Sequence, residues 1–354
     1  MINNWNEILL SDMQDLYGRN LSYTDIKNKT VLVTGAGGML AAYAVYFFMY
    51  LNETENLNIK VIALVRNKDK AMEKFSEFAG NENFRFLIQD VCDPIMLEEQ
   101  VDYIVHAAGN ASPHFILNDP VGIIKANTLG TFNILEFARR AKTRKVLYLS
   151  TREVYGKMDV DVEEIPEELF GGMDPLEFRS CYPESKRIAE SILQSYYRQF
   201  NVPFAVVRIA HSYGPVMNID NDGRVMADFI ADICNNRNIM LKSTGDAERA
   251  FCYITDAVAG MLFALLKGEC GEAYNVANEK DPKPIREVAE LLVGLFPEKQ
   301  LKVVFNIPKS NSEGYSKMGR VKLNTAKLEK LGWSCQVDLA TGMKRTVEYF
   351  SSRG

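Results

Sequence analysis

Thr30-Val31-Leu32-Val33-Thr34-Gly35-Ala36-Gly37-Gly38-Met39-Leu40-Ala41 decides the fold of this 354-residue chain. Thr30–Thr34 reads as a buried strand, and the apolar run from Gly38 to Leu51 reads as a helix. A glycine-rich turn between strand and helix is where backbone amides cradle a pyrophosphate. Gly35 permits the tight turn, Gly38 lets the backbone approach the phosphates, and Ala41 lets the helix lie close on the sheet. Working outward, Lys60–Val65, Phe84–Ile88, Tyr103–His106, Val146–Ser150 and Ala205–Ile209 repeat the short apolar pattern. The segments between them, notably Gly130–Ala141 and Pro183–Phe200, read as helices. This alternation predicts an α/β fold, a Rossmann-like doubly wound parallel sheet covered on both faces. The dinucleotide-binding part is expected over 29–210. Pro and Gly become frequent after Ile209, so a smaller C-terminal α/β substrate-binding domain is expected over 211–354, with some chain returning to the Rossmann part. Residues 1–28 read as a helical extension. Its stripe of Trp5, Ile8, Leu9, Leu10, Met13 and Leu16 is expected to pack on the body or on a partner subunit.

The composition, 47% hydrophobic and 25% charged, is that of a globular protein. A net charge of −5 gives no basic footprint, so nucleic acid is not an expected partner. The longest apolar stretch, Met39 to Leu51, is too short to span a bilayer and holds three tyrosines, so no membrane is expected. Met1 to Glu7 lacks the basic and apolar regions of a signal peptide. Cys92, Cys181, Cys234, Cys252, Cys270 and Cys335 are scattered without a C-x-x-C pair, and only three histidines are present. That pattern fits reduced thiols in the cytoplasm and no metal site.

On the cofactor side, Gly37 and Met39 complete the turn with Gly35 and Gly38. The second strand ends in Arg66-Asn67-Lys68 with no carboxylate. An acidic residue there would bind the 2′-hydroxyl of NAD, while Arg66 can pair with the 2′-phosphate of NADP. NAD is the expected cofactor and Arg66 leaves NADP open; Arg66 could equally lie over the adenine or point to solvent. Asp90 and Val91 after the third strand, and Ala107, Ala108 and Gly109 after the fourth, are placed to touch the adenine and the ribose side.

On the chemical side, a Ser150-Thr151 pair ends an apolar run and precedes Ser180-Cys181-Tyr182-Pro183-Glu184-Ser185-Lys186. A Tyr and a Lys four apart share one helix face. There an ammonium can lower a phenol's pKa, and the phenolate can take a proton from a sugar hydroxyl as hydride leaves. Arg224 and Arg249 are candidates for a diphosphate, because guanidinium forks bind phosphate oxygens at two points. His106, ending an apolar strand, reads as a packed core histidine, and Cys181 reads as packing because no histidine lies near it in sequence.

Together these motifs resemble the extended short-chain dehydrogenase/reductase family, the NAD-dependent nucleotide-sugar epimerases and dehydratases, from about Lys29 to Phe350. The resemblance implies that Thr151 hydrogen-bonds the sugar 4-hydroxyl, Tyr182 is the base and Lys186 holds the cofactor ribose. It implies that Asn127, in Lys125-Ala126-Asn127-Thr128, orders the active-site helix. Arg179-Ser180-Cys181-Tyr182, Asn221-Asp222-Gly223-Arg224-Val225, Arg249-Ala250-Phe251-Cys252-Tyr253 and Leu331-Gly332-Trp333 look like the UDP-glucuronate decarboxylases within it. Glu153 matches their active-site Glu, and Arg320 falls at the spacing of an Arg tied to the decarboxylation step. In such enzymes the retained cofactor oxidises C4, the β-keto acid loses CO₂, and the 4-keto sugar is reduced by the same cofactor. Homodimers built through the helix carrying Tyr182 and its neighbour are common in the family.

Three residues depart from the resembled pattern. Arg152 stands where decarboxylases carry Ser and 4,6-dehydratases carry an acidic Asp. An Arg donates no proton to a reaction at neutral pH, which disfavours 4,6-dehydration. His211 stands in place of a substrate-holding Asn, and Val216 in place of an Arg. Arg152 could pair with a carboxylate or be structural, and the substrate could differ from UDP-glucuronate. The expected function is a nucleotide-sugar enzyme working through a 4-keto intermediate, most like UDP-glucuronate decarboxylase. The alternatives are a 4-epimerase or 4,6-dehydratase and, from another class, a non-catalytic cofactor-binding sensor.

Overall fold

The computed structural model describes residues 5–158, 162–220, 222–307 and 322–352. Seven strands form the central sheet: β1 (Thr30–Thr34), β2 (Lys60–Val65), β3 (Phe84–Ile88), β4 (Tyr103–His106), β5 (Lys145–Thr151), β6 (Phe204–Ile209) and β7 (Glu272–Val276). They lie in the order β7-β6-β5-β4-β1-β2-β3, and every pair is parallel. Parallel strands are buried on both faces, which is why β1 and β5 are buried along their whole length. The strand order reverses between β1 and β4, so the crevice for a ligand opens beyond their carboxyl ends.

The helix Met39–Glu55 that follows the turn is buried at every position from Ala41 to Leu51. A helix apolar all round must be covered all round. It packs on β1 and β2 and, side by side on the same face of the sheet, against a second apolar helix, Ile254–Leu266, which covers β5 and β6. Tyr43, Phe47 and Phe48 are fully enclosed there, each contributing roughly 1.5–3 kcal/mol. The N-terminal helix Glu7–Tyr17 closes this layer by packing on Met39–Glu55, Ile254–Leu266 and the C-terminal helix Leu339–Ser351. Trp5, Leu9, Met13 and Leu16 point inward, as the stripe predicts. Asp12 anchors the helix by accepting from Tyr43 and Tyr253 hydroxyls (2.8 and 2.7 Å) and from Arg345 (3.0 Å).

The helix predicted from Gly130 begins earlier, at Pro120, where Asp119 caps the amide of Gly122 (3.1 Å) and proline suits the first helical position. The β7 strand is absent from the strands read in sequence. Glu272 and Asn275 break the apolar run, Asn275 being buried but accepting from the Tyr155 hydroxyl (2.5 Å) and donating to Ile165 O and Asn324 O (3.1 and 3.0 Å). Beyond β6, short pairings complete the other wall of the crevice. Ser212–Tyr213 pairs in parallel with Cys252–Tyr253, and Glu248–Arg249 pairs with Lys283–Pro284. Among the described residues no helix is long and apolar enough to cross a membrane.

Candidate active site

A cavity of about 600 Å³ lies at the carboxyl ends of β1, β4, β5 and β6. One end is the glycine turn. Gly35 sits at φ 61, and a Cβ there would come within 2.8 Å of Ala108 Cα and 2.9 Å of Ala107 O. Only glycine lets the β1 turn lie this close against the end of β4. The approach is locked by Thr34 Oγ1, which accepts the amides of Ala107 and Ala108 (both 3.2 Å). His106 bridges Thr34 and Thr131 hydroxyls (2.8 and 3.1 Å), and burial lowers its pKa to about 3. It is a core spacer, as the sequence predicts. Gly37, Gly38 and Met39 line the cavity with the first turn of the helix, whose leading amides have no intrahelical partner. Lys74 crosses the mouth, donating to Gly37 O (2.8 Å) and to Val216 O (3.2 Å).

The sequence-predicted cofactor residues divide. Gly35, Gly37, Gly38, Met39, Ala107 and Gly109 line the cavity, whereas Arg66, Asp90, Val91, Ala108 and Asn127 do not. Arg66 and Asp90 face each other at 3.6 Å on the rim of the sheet. Val91 turns its side chain under Gly130, and Ala108 gives its amide to Thr34. Asn127 is fully buried beneath Gly109. Its amide donates to Ser185 Oγ (2.9 Å), and its Oδ1 has no partner. A Cβ on Gly109 would run into that oxygen. These features suit a dinucleotide: a cradle that side chains would fill, helix amides for phosphate, and an orphaned buried acceptor nearby.

The other end gathers the chemical groups. Thr151 ends β5, and Tyr182 and Lys186 lie one turn apart on the helix Cys181–Phe200. Thr151 is hydrogen-bonded to the Tyr182 phenol and favours its ionised form. Burial dominates and raises the phenol's pKa, with Glu153 adding to the rise. Lys186 donates to Leu149 O (2.7 Å), sits 4.6 Å from the Tyr148 ring centre, and has its pKa lowered to about 7 by burial. The groups favouring the phenolate are Thr151, Arg224 and Arg179. Glu190, one turn beyond Lys186, is held by Ser150 (2.5 Å) and Arg208 (2.7 Å), and opposes the loss of the Lys186 proton.

Glu153 lines the cavity with its carboxyl raised by burial, opposed by Arg179 at 3.7 Å and by Arg152. Arg152 and His211, distant in sequence, meet at 2.9 Å. Arg224 lines the cavity paired with Asp222, and Arg249 lines it while donating to Glu248 O (2.7 Å). Arg320 and Asn221 lie outside the described residues. Lys74, Asp222, Tyr349 and Phe350 also reach the cavity and were not singled out in sequence. Lys74 lies in an ordinary charged helix, Lys68–Lys74, and Tyr349 and Phe350 end an amphipathic one, so neither carries a local signal. Asp222 has a signal, standing two residues from Arg224 in a quoted motif. Among the described residues no cluster of His, Cys, Asp and Glu could hold a metal ion.

Several known proteins are similar to this chain over most of its length. UDP-glucuronic acid decarboxylase 3 of Arabidopsis thaliana is 33% identical over 327 residues, 92% of this chain and 90% of that protein. UDP-glucuronic acid decarboxylase 1 of Xenopus tropicalis is 32% identical over 91% of this chain and 72% of its own length. Among solved structures, a UDP-glucose 4-epimerase of Thermotoga maritima with UDP-glucose superposes with a TM-score of 0.77 at 25% identity, over 92% of this chain and 99% of that one. A UDP-glucuronic acid 4-epimerase of Bacillus cereus, in complex with UDP-glucuronic acid and NAD, shares the fold at 20% identity and a TM-score of 0.74, over 92% of this chain and 100% of that one. The model of the NAD dependent epimerase/dehydratase family matches residues 31–277, and the chain belongs to that family.

Proposed function

We propose that this protein is an NAD-dependent nucleotide-sugar enzyme that acts on UDP-glucuronate through a 4-keto intermediate and releases CO₂. The observation that carries the reading is the convergence of Thr151, Glu153, Tyr182 and Lys186 in one cavity with the Gly35–Gly38 turn. When bound, the nicotinamide would accept hydride from C4 of the sugar and later return it. The Gly35–Met39 turn and Lys186 would hold the dinucleotide. Thr151 and Tyr182 would share the 4-hydroxyl, and Tyr182, after giving its own proton to solvent with Thr151, Arg224 and Arg179 favouring the phenolate, would take the 4-hydroxyl proton. With C4 a ketone, the electron pair left by the departing carboxylate is delocalised into it. Glu153, its carboxyl raised by burial, suits proton delivery near C5. Arg224 and Arg249 would take the diphosphate, and Arg320 is kept as a candidate for the decarboxylation step.

A second reading, 4-epimerisation with the carboxylate retained, is favoured by Arg152. A guanidinium paired with a carboxylate stabilises the charged reactant, and that stabilisation is lost as CO₂ forms. The test is incubation of cofactor-loaded protein with UDP-glucuronate. CO₂ with a UDP-pentose supports decarboxylation, unchanged mass with inverted C4 supports epimerisation, and no turnover overturns both.

A cytoplasmic homodimer completes the reading. Val121, Ile124, Leu129 and Phe132 are exposed on the helix Pro120–Ala141, and Ile188 is exposed on the helix bearing Tyr182. Covering that apolar face with a second copy is the economical arrangement. Sedimentation of the purified protein at monomer mass would remove it.

A further inference from the structure

The two sugar-side residues that depart from the resembled pattern, Arg152 and His211, act on each other. Arg152 Nη1 lies 2.9 Å from His211 Nε2. A guanidinium has donors only, so His211 Nε2 accepts and the imidazole proton sits on Nδ1. Burial, with Arg152 and Arg249 alongside, lowers the His211 pKa to about 3, which keeps the ring neutral at ordinary pH. His211 is a neutral acceptor, so it orients the guanidinium without adding a negative charge, while the neighbouring Glu153 carboxyl also feels Arg152. The ring is itself held in place, 5.9 Å from Phe251 centre to centre, on a backbone at φ 43.

The cavity is cationic although the chain carries a net −5. Lys74, Arg152, Lys186, Arg224 and Arg249 line it against Glu153 and Asp222. The cations are distributed along it. Lys74 stands at the glycine turn, Lys186 beside Tyr148, and Arg224 and Arg249 suit a diphosphate. Arg152 alone directly follows Thr151, the residue bonded to the Tyr182 phenol, and so marks the reacting end of the sugar.

We propose that Arg152, positioned by His211, selects a nucleotide sugar bearing a C6 carboxylate over a neutral hexose. The proposal rests on the nucleotide-sugar reading above and holds whether the carboxylate is afterwards lost or kept. A guanidinium fork meets a carboxylate with two charge-assisted hydrogen bonds, where the Ser of the resembled pattern offers one neutral donor.

The test is calorimetric binding of UDP-glucuronate and UDP-glucose to the cofactor-loaded protein and to R152S, R152K, H211N and R152S/H211N. Wild type is expected to prefer the uronate by at least about tenfold. R152S should lose that preference with unchanged UDP-glucose affinity, R152K should keep part of it, and H211N should lose part of it. Because His211 acts through Arg152, H211N should add nothing in the R152S background. An unchanged ratio in R152S overturns the proposal, as does equal weakening of both ligands, or additive losses in the double variant. Product analysis of the same samples separates this from the reaction assignment. Uronate preference without turnover removes the reaction and leaves the selector, and turnover with an R152S ratio like wild type removes the selector alone. A wild type that binds neither sugar removes both.

Discussion

The two ends of the cavity are built from different materials. At the cofactor end, backbone sets the geometry: Gly35 at φ 61 lies against Ala107 and Ala108, whose amides are pinned by Thr34. At the sugar end, charged side chains set it: Arg152 on His211, Glu153 near Arg179, Arg224 on Asp222. A pyrophosphate needs amides at fixed spacing, which a turn and a helix N-terminus supply whatever the sugar. Discrimination among sugars needs groups that can be exchanged singly. Side chains allow that, and a packed backbone turn does not.

The largest expected effect tests whether the sugar end does the chemistry. Tyr182→Phe should lower kcat about 10²–10⁴-fold with nearly unchanged UDP-sugar affinity by calorimetry. A loss below tenfold would mean that another group is the base. Gly35→Ala probes the cofactor end. Forcing a side chain into that turn should destabilise the fold by about 1–3 kcal/mol and strip the nicotinamide from the purified protein. Gly37→Ala is its control: a Cβ there meets nothing within 4 Å, so stability should move by under about 0.5 kcal/mol. Urea midpoints and cofactor content read both, and equal behaviour of the two variants would break the contrast.

Arg249→Ala and Arg224→Ala should each raise KM for the nucleotide sugar about tenfold, near 1.4 kcal/mol, and leave cofactor content alone. Loss of cofactor in either variant would show that the two ends are not separable. A further effect is a pH slope at Lys186, whose folded pKa falls from 10.5 to about 7. Between those values the unfolded chain holds a proton that the folded one does not, so ligand-free stability rises with pH across the window. The contribution is fully present above the unfolded pKa and is lost as pH falls toward 7. Lys186→Met should flatten the slope, seen as a wild-type-minus-variant urea midpoint that grows from pH 7 to pH 9. A constant difference would place Lys186's burial cost elsewhere.

Legibility in sequence follows the same division. β1 to β6 and the glycine turn are readable because short apolar runs and Gly spacing are local signals. Tyr182 and Lys186 are readable because helical periodicity places them on one face. β7 escapes, because an edge strand with Asn275 in it has little apolar contrast. Lys74 escapes too, because nothing in Lys68–Lys74 separates a cavity-facing lysine from a solvated one. The rise of the Tyr182 phenol escapes for another reason. Sequence supplies the proximity of an ammonium but not the depth of burial that opposes it.

What the order of residues fixed alone is the alternating strand and helix pattern, the nucleotide turn and the Thr151, Tyr182 and Lys186 set, because each depends on near neighbours. What only the tertiary structure decided is the meeting of Arg152 with His211, the crossing of Lys74 to Val216 and the balance of charge around Tyr182. Those depend on which distant strand ends converge and on how much water their convergence excludes.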